Sequence, residues 1–516
     1  MICRIELQIA GEIMNQSGKT RYKWDNINWR KLERSIFKLQ KRIYRASANK
    51  DLKKVHSLQR LLLKSYNAKL IAVRRVALLN AGSFPAGIDG VKSLSPTQRL
   101  MLANGLKLNE KSKPVRRIWI PKPGKSEKRP LGIPTMIDRA RQALVKLALE
   151  PQWEANFEPN SYGFRPARSS HDAVSAIFKA ISLKTAYVLD ADITGCFDNI
   201  DHQTLLNKLE TFPKMYRKIK DWLKSGIMEG IVFQRSLAGT PQGGVISPLL
   251  ANIALHGLEY DTKAALKMDL FNYKKRILGK AAHMYSQRSI SIIRYADDFV
   301  VIHESKEIIE KAKAHIEQWL EQIGLKLNEK KTKIVHILKP FSENDIGFNF
   351  LGFHVRQYYN RSIKRGYVTM IKPTKEGQKR HRQIIRERIS RLKSETQEVV
   401  IKVLNPIVQG WANYYKHQVS RKAFENADNY MFSRLWKWAR WRHPNLGLRR
   451  IKRKYFRKYR NSKWRFSTHE GLILRLHGDT HIIRHKKIHG TRSPFDRDNK
   501  YWVKRNGKFE QYLRCI

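Results

Sequence analysis

The sequence predicts an α+β fold, and three observations predict it. Apolar residues recur at threes and fours from Trp29 to about residue 80 and again from 373 to about 420, which is the period of packed helices. Between these regions lie short runs of Val, Ile, Leu, Tyr and Phe with strand composition, and some of them end in carboxylates. The third observation is charge: 102 Lys and Arg stand against 44 Asp and Glu in 516 residues, a formal net charge of +58.

An excess this large implies a polyanionic partner, for which nucleic acid is the usual choice and a ribosome or an anionic membrane the alternatives. The 12 Trp, 20 Tyr and 20 Phe exclude a merely disordered basic tail. Cys3, Cys196 and Cys515 are too far apart in sequence to form a zinc pattern or a disulfide framework, which fits a reducing compartment. No apolar run approaches the ~20 residues of a membrane span, and Glu6 and Glu12 interrupt any signal-peptide core. Together these predict a cytoplasmic or organellar protein that is neither secreted nor membrane-bound.

In chain order, residues 1 to about 26 are polar and predicted to be poorly ordered. Trp29, Leu32, Ile36, Leu39 and Ile43 predict one helix, and the run from Asp51 to Gly82 a second. Their other faces are rich in Lys and Arg, among them Arg74 and Arg75. Pro114–Pro121 and Lys128–Pro134 predict a basic β-hairpin turning at Gly124, with Arg117, Lys122 and Arg129 as candidate phosphate contacts. A helix follows from Asp138 to Glu150. Arg165, in Asn160–Pro166, is either a template contact or the partner of a core carboxylate.

Tyr187–Asp192 reads as an apolar strand that puts Asp190 and Asp192 on one face. Buried unpaired carboxylates are unfavourable, and a divalent cation offsets that penalty. A second acidic strand end occurs at Ile290–His303, a predicted hairpin with Asp297 and Asp298 at its tip. One strand Asp facing one hairpin Asp makes a two-metal site for in-line phosphoryl transfer. Between them, Gly239, Gly243 and Gly244 remove side-chain bulk where a backbone must approach a partner closely, and Gln242 offers both donor and acceptor. Ser247-Pro248 predicts a helix start, with Ser247 as its N-cap.

Tyr295-Ala-Asp-Asp298, Asp192 with Phe197 five residues on, and Ala238–Pro248 resemble, in this order, three motifs of group II intron-encoded reverse transcriptases. Arg129–Pro134, Asn160–Pro166, Leu325–Ile334, Phe348–Val355 and Gly410–Tyr415 extend the resemblance over roughly residues 27 to 500. It implies a right-hand polymerase: an N-terminal helical extension that grips RNA (1–82), fingers and palm (83–365), a helical thumb or maturase X domain (366–430), and a small basic DNA-binding domain (431–516). That last segment holds 25 Lys or Arg against five acids, with five tryptophans, of which Trp436, Trp438 and Trp441 are expected mostly in a small core. A second cap-and-proline helix start is expected at Asn405-Pro406.

The resemblance further implies RNA-directed DNA synthesis with two Mg2+ ions, held by Asp192, Ile193 and Asp297 and supported by Asp298. Arg117, Lys122, Arg129, Phe197, Gln242 and Lys331 would face the dNTP, with Phe197 beneath its sugar. Arg74, Arg75, Arg165, Gly243 and Gly244 would face template or intron RNA. Its implied partners are the intron RNA, a DNA target, and an RNA template with a DNA primer. The alternatives are an RNA-binding splicing factor with a dead polymerase site, and a retron- or CRISPR-type reverse transcriptase. The zinc-dependent endonuclease pattern often found in the resembling family is absent from the sequence.

Overall fold

The computed structural model describes residues 23–79, 85–121, 127–230, 232–278, 290–341, 346–459 and 462–506. Expectations that fall on residues 1–22, Gly82, Lys122, Gly124 and Cys515 lie outside them. The N-terminal region is three helices, α1 (Trp29–Ala48), α2 (Leu52–Lys64) and α3 (Tyr66–Arg74). Asn28 and Asp51 cap the first two by accepting from the amides of Lys31 and Lys54. The single helix expected after Asp51 is interrupted at Ser65, whose backbone is extended. The expectation of disorder up to residue 26 fails at Trp24, which lies buried in a short turn with its ring 4.8 Å from that of Trp29.

After α4 (Pro96–Asn104), β1 (Val115–Pro121) and β2 (Lys128–Ile133) pair antiparallel, as the hairpin reading requires. The buried helix α5 (Met136–Glu154) then runs beneath the N-terminal helices, and α6 (Ser170–Ile181) leads into β3 (Tyr187–Asp192). One turn of helix, α7 (Cys196–Asn199), is followed by α8 (His202–Lys208) and α9 (Pro213–Leu223). Two short strands, β4 (Ile227–Glu229) and β5 (Val232–Gln234), complete a four-stranded sheet of order β2-β1-β4-β5. Three helices follow: α10 (Ser247–Ala254), α11 (Leu258–Ala265) and α12 (Lys267–Leu278). Pro248 sits in the first turn of α10 as expected, but the N-cap is Ile246 and Ser247 is already helical.

The second sheet carries the acids. Its strands are β6 (Ser291–Tyr295), β7 (Asp298–His303) and, after α13 (Lys306–Glu321), β8 (Lys333–His336), in the order β6-β7-β3-β8. Period-two alternation divides it between two cores. Leu189, Ala191, Phe299 and Val301 join the core shared with the N-terminal helices and α5, while Val188, Val300 and Ile302 join a second core behind. Along this second face the even-numbered positions change from apolar to acidic at the strand ends, at Asp190, Asp192 and Asp298.

A three-stranded sheet of β9 (Phe348–Phe350), β10 (Phe353–Tyr359) and β11 (Tyr367–Pro373) closes that second core, with Phe348, Phe350 and Phe353 inside. The thumb is α14 (Lys375–Arg391), α15 (Gln397–Tyr415) and α16 (Arg421–Arg442). Asn405-Pro406 does not begin a helix, because α15 passes through it. Asn405 instead bridges to the C-terminal segment, donating to the Ile473 carbonyl at 3.1 Å and accepting from the Arg475 amide at 2.8 Å.

The boundary expected at 430 falls inside α16. Beyond it, α17 (Leu448–Tyr455), β12 (Phe456–Tyr459) and β13 (Ser462–Phe466) share one core with the thumb, which includes Trp438. The segment leading to α18 (Asn499–Asn506) puts Ile488, Phe495 and Trp502 into the second core of the catalytic sheet. Trp436 is partly buried against the thumb core and Trp441 is 57% exposed. Among the described residues no helix is long and apolar enough to cross a membrane.

Candidate active site

β3 and β7 are antiparallel neighbours in a register that sets Asp192 directly opposite Asp298. Two like charges in that position repel unless a proton or a cation intervenes. Burial, then Asp297 and Asp192, pushes Asp298 up to about 7, and a hydrogen bond links the carboxyls of Asp298 and Asp192. Asp297 is raised in the same direction, first by burial and then by Asp192. Asp190, one step back along the face, is pushed up to about 7 by burial, with Lys333 opposing.

Lys331 donates a hydrogen bond to Asp192, so an ammonium stands against the acid cluster. Arg129 also acts on Asp297, and Arg117 and Arg129 both act on Asp198 beside it. Among the described residues no group of three or more His, Cys, Asp or Glu stands ready to hold a metal by itself, but Asp192 and Asp298 opposite each other, with Asp297 adjacent, suit a divalent cation that takes one or two carboxylates and completes its shell with phosphate oxygens. The side chain of Ile193 is buried, which leaves its main-chain carbonyl as the group it could offer. Cys196 packs beneath, where burial and then Asp297 push its thiol up to about 12, well away from reactive thiolate.

The hairpin turn is strained and externally braced. Ala296 has φ +59, a left-handed conformation that costs of order 1–3 kcal/mol for a non-glycine residue. Arg294, fully buried, holds it by donating to the Ala296 carbonyl at 3.3 Å and to Asn252 Oδ1 at 3.1 Å, with Glu158 3.8 Å away. From the other side, residues 160–162 pair with Arg294 along β6, and a Cβ on Gly163 would lie 2.4 Å from the Ala296 nitrogen. Asn252 also donates to the Gly163 carbonyl at 2.8 Å. Sequence reading missed Arg294, Asn252, Glu158 and Gly163 as parts of the site. The signal for Arg294 was present, since an Arg inside an apolar strand requires a partner.

Several expected contacts are used internally. Arg165 is bidentate to Glu154 at 2.9 and 3.0 Å, both side chains buried, and its remaining donor serves the Glu158 and Ser161 carbonyls. The core-carboxylate alternative therefore holds for Arg165, and the template contact does not. Arg74 pairs with Glu33 at 2.8 Å over the Trp29 ring, so its charge is used within the N-terminal helices, and Arg75 beside it is only partly exposed.

Gln242 donates to Asp198 at 2.9 Å. The motif glycines approach this chain's own backbone. A Cβ on Gly243 would lie 2.4 Å from the Gly132 carbonyl, and one on Gly239, at φ +81, 2.4 Å from that of Asp198. A Cβ on Gly244 would meet Ser247 Oγ at 2.4 Å. Steric need is thus confirmed at all three, but its cause is the seating of the loop on β2, α7 and α10. Phe197 is half-buried on α7, packed against the first core and in edge-to-face contact with Phe164.

Comparison with known proteins agrees with this geometry. Residues 120–355 match the family described as "Reverse transcriptase (RNA-dependent DNA polymerase)", 24–106 the "N-terminal domain of reverse transcriptase", and 378–456 the "Group II intron, maturase-specific domain", a match that also crosses residue 430. Protein YkfC of Escherichia coli (strain K12) is 30% identical over 377 residues, 65% of this chain and 92% of that protein. Group II intron-encoded protein LtrA of Lactococcus lactis subsp. cremoris is 32% identical over 298 residues, 49% of this chain and 48% of that protein. Maturase-like protein 1 of Euglena gracilis is 26% identical over 411 residues, 76% and 78% of the two chains. The aligned region thus spans about half the length of LtrA and nearly all of YkfC. With its acid cluster and these matches, the chain belongs to the group II intron-encoded reverse transcriptase/maturase family.

Proposed function

We propose that the chain is an RNA-directed DNA polymerase that also binds its group II intron RNA and assists its splicing and mobility. The observation that carries the polymerase reading is the convergence of Asp192, Asp297 and Asp298 at the paired ends of two strands, with Lys331 and Arg129 acting on them and Arg117 on Asp198. In the reaction the primer 3′-hydroxyl loses its proton and attacks the α-phosphorus of a dNTP. A new P–O bond forms to the primer and the bond to pyrophosphate breaks. Asp192, Asp297 and the Ile193 carbonyl would hold two Mg2+ ions, with Asp298 in support. When bound, the ions favour the deprotonated hydroxyl and neutralise the departing pyrophosphate. The chain's own cations serve the phosphates: Arg117 and Arg129 approach from β1 and β2, and Lys331 exchanges Asp192 for the triphosphate.

RNA binding rests on other surfaces. Lys31, Lys38 and Arg42 on α1 are exposed, and replace Arg74 and Arg75 as the N-terminal contacts we assign to intron RNA. The exposed basic residues of the C-terminal region suit a DNA target. The test pairs primer extension on an RNA template with a splicing assay of the cognate intron at low Mg2+. Asp192→Ala or Asp297→Ala should lower extension by about 1,000-fold or more, loss of metal-based stabilisation being worth several kcal/mol. Intron binding and splicing assistance should survive in both variants. Reversing Lys38 and Arg42 should do the opposite. Near-normal extension by either Asp variant overturns the two-metal assignment. A wild type that extends primers but never accelerates splicing overturns the maturase half.

A further inference from the structure

Phe164 is half-exposed, at 49%, and its backbone is left-handed at φ +58. An exposed aromatic residue in a strained conformation gains nothing from the core, so the surroundings must impose its position. They do so from both sides. Gly163 is pressed against the catalytic turn at Ala296, and Arg165 is locked to Glu154. Residues 160–162 pair with β6, and Asn252 holds the Gly163 carbonyl. The segment is therefore bolted to the hairpin that carries Asp297 and Asp298, and Phe164 is the side chain it leaves projecting.

That side chain meets Phe197. The two ring centroids are 6.2 Å apart at an interplanar angle of 77°, an edge-to-face pair. The inner side of Phe197 packs against the core shared with the N-terminal helices and α5, and Phe164 supplies the aromatic contact on its exposed side. Phe197 stands on a single helical turn opened by Gly195 at φ +52 with no side-chain cap. The turn is tethered by main-chain bonds from Thr240 to Phe197 and from Gly239 to Ile200 and by the Gln242 side chain on Asp198, none of which contacts the Phe197 ring.

We propose that Phe164 is a positioning residue for sugar selection: its edge holds the Phe197 ring against the incoming nucleotide's sugar. This deepens the polymerase reading above and rests on it. Strain at Phe164 then has a use, since it aims a rigid ring, from the segment braced against the hairpin of Asp297 and Asp298, at Phe197.

The test is single-nucleotide extension of a primer on an RNA template, with kcat/KM measured for dNTPs and rNTPs. Phe164→Ala should raise the rNTP-to-dNTP ratio about 2- to 10-fold, the factor an edge-to-face ring pair supplies. The loss should appear chiefly in KM for the dNTP, and Phe164→Tyr should restore selectivity. Because the residues act through one ring, Phe164→Ala combined with Phe197→Ala should select no worse than Phe197→Ala alone. Should Phe164→Ala lower the melting temperature enough to prevent assay, Phe164→Leu keeps the volume, loses the flat edge and must shift the ratio the same way. An unchanged ratio in the foldable variant, or additive effects in the double variant, overturns the proposal while the polymerase reading stands. No ratio change in Phe197→Ala removes the sugar assignment and this proposal with it. Absence of extension by the wild type overturns the polymerase reading itself.

Discussion

Asp298 and Asp172 are both carboxylates withdrawn from solvent, yet they are held on opposite sides of their ordinary ionisation range. At Asp298, burial and two neighbouring acids push the group up to about 7. At Asp172, fully buried at the start of α6, burial also pushes upward but is outweighed by the hydrogen bond from His485, by Arg505 and by the Ile488 amide, and the group lies below its usual range. Arg505 reaches both carboxylate oxygens at 2.9 Å. The difference separates a site from a fastening. Asp172 is partnered by Ser169 at the start of its own helix and by His485, Ile488 and Arg505 of the C-terminal segment, and so it pins that segment to α6. Asp298 is instead crowded by Asp192 and Asp297, and that like-charge crowding is what a cation would relieve.

The largest effect should come from breaking the first region without touching an acid. Gly163→Ala drives a Cβ into the Ala296 nitrogen and must displace the catalytic turn. A shift of about 1 Å at reacting groups lowers rate by ~100-fold. Primer extension should fall by at least that much while thermal melting changes little. A fully active Gly163→Ala protein would mean the turn does not need its brace.

Next comes the fastening. Asp172→Asn leaves Arg505 facing no counter-charge, and breaking a buried pair typically destabilises by about 3–5 kcal/mol. Urea unfolding should show it, with any activity loss recovered under conditions where the variant is folded. The pH dependence has a definite sign. A carboxylate whose folded pKa is depressed contributes stability above its unfolded pKa of ~3.9 and loses it as pH falls through the folded value. The gap between wild type and Asp172→Asn should therefore be level from neutral pH down to about pH 4 and close only below that. A gap that closes well above pH 4 would overturn the assignment to the Asp172 carboxylate. The same pairing argues against removing residues 431–516 as a test of DNA binding, because Ile488, Phe495 and Trp502 belong to the core of the catalytic sheet.

The smallest effect belongs to charge that neither carboxylate uses. Arg449, Arg450 and Arg453 on α17 are exposed. Replacing all three by Ala should spare extension on a short primer–template and reduce the salt slope of DNA binding by up to about 0.9 per lost phosphate contact. An unaltered slope would place the DNA elsewhere.

Strand periodicity was legible in the residues themselves. Alternation at i, i+2 in Tyr187–Asp192 put Asp190 and Asp192 on one face, and the apolar runs around Tyr295–Asp298 predicted the hairpin. The helix start at Asp51 was legible for the same reason, since a cap acts within three residues. What long charged side chains reach was not legible, because that depends on what folds opposite them. Arg165 looked available until Glu154 stood beside it, and Arg74 until Glu33 and Trp29 did. The C-terminal boundary failed similarly. Composition marked a basic tail, but burial of Phe495 and Trp502 against α6 and the three-stranded sheet is settled by contacts hundreds of residues apart. The sequence alone determined which residues are acidic at which strand ends, because period and local capping are short-range. Only the tertiary structure decided which charges remain unpaired to do chemistry, because pairing is a property of neighbours in space.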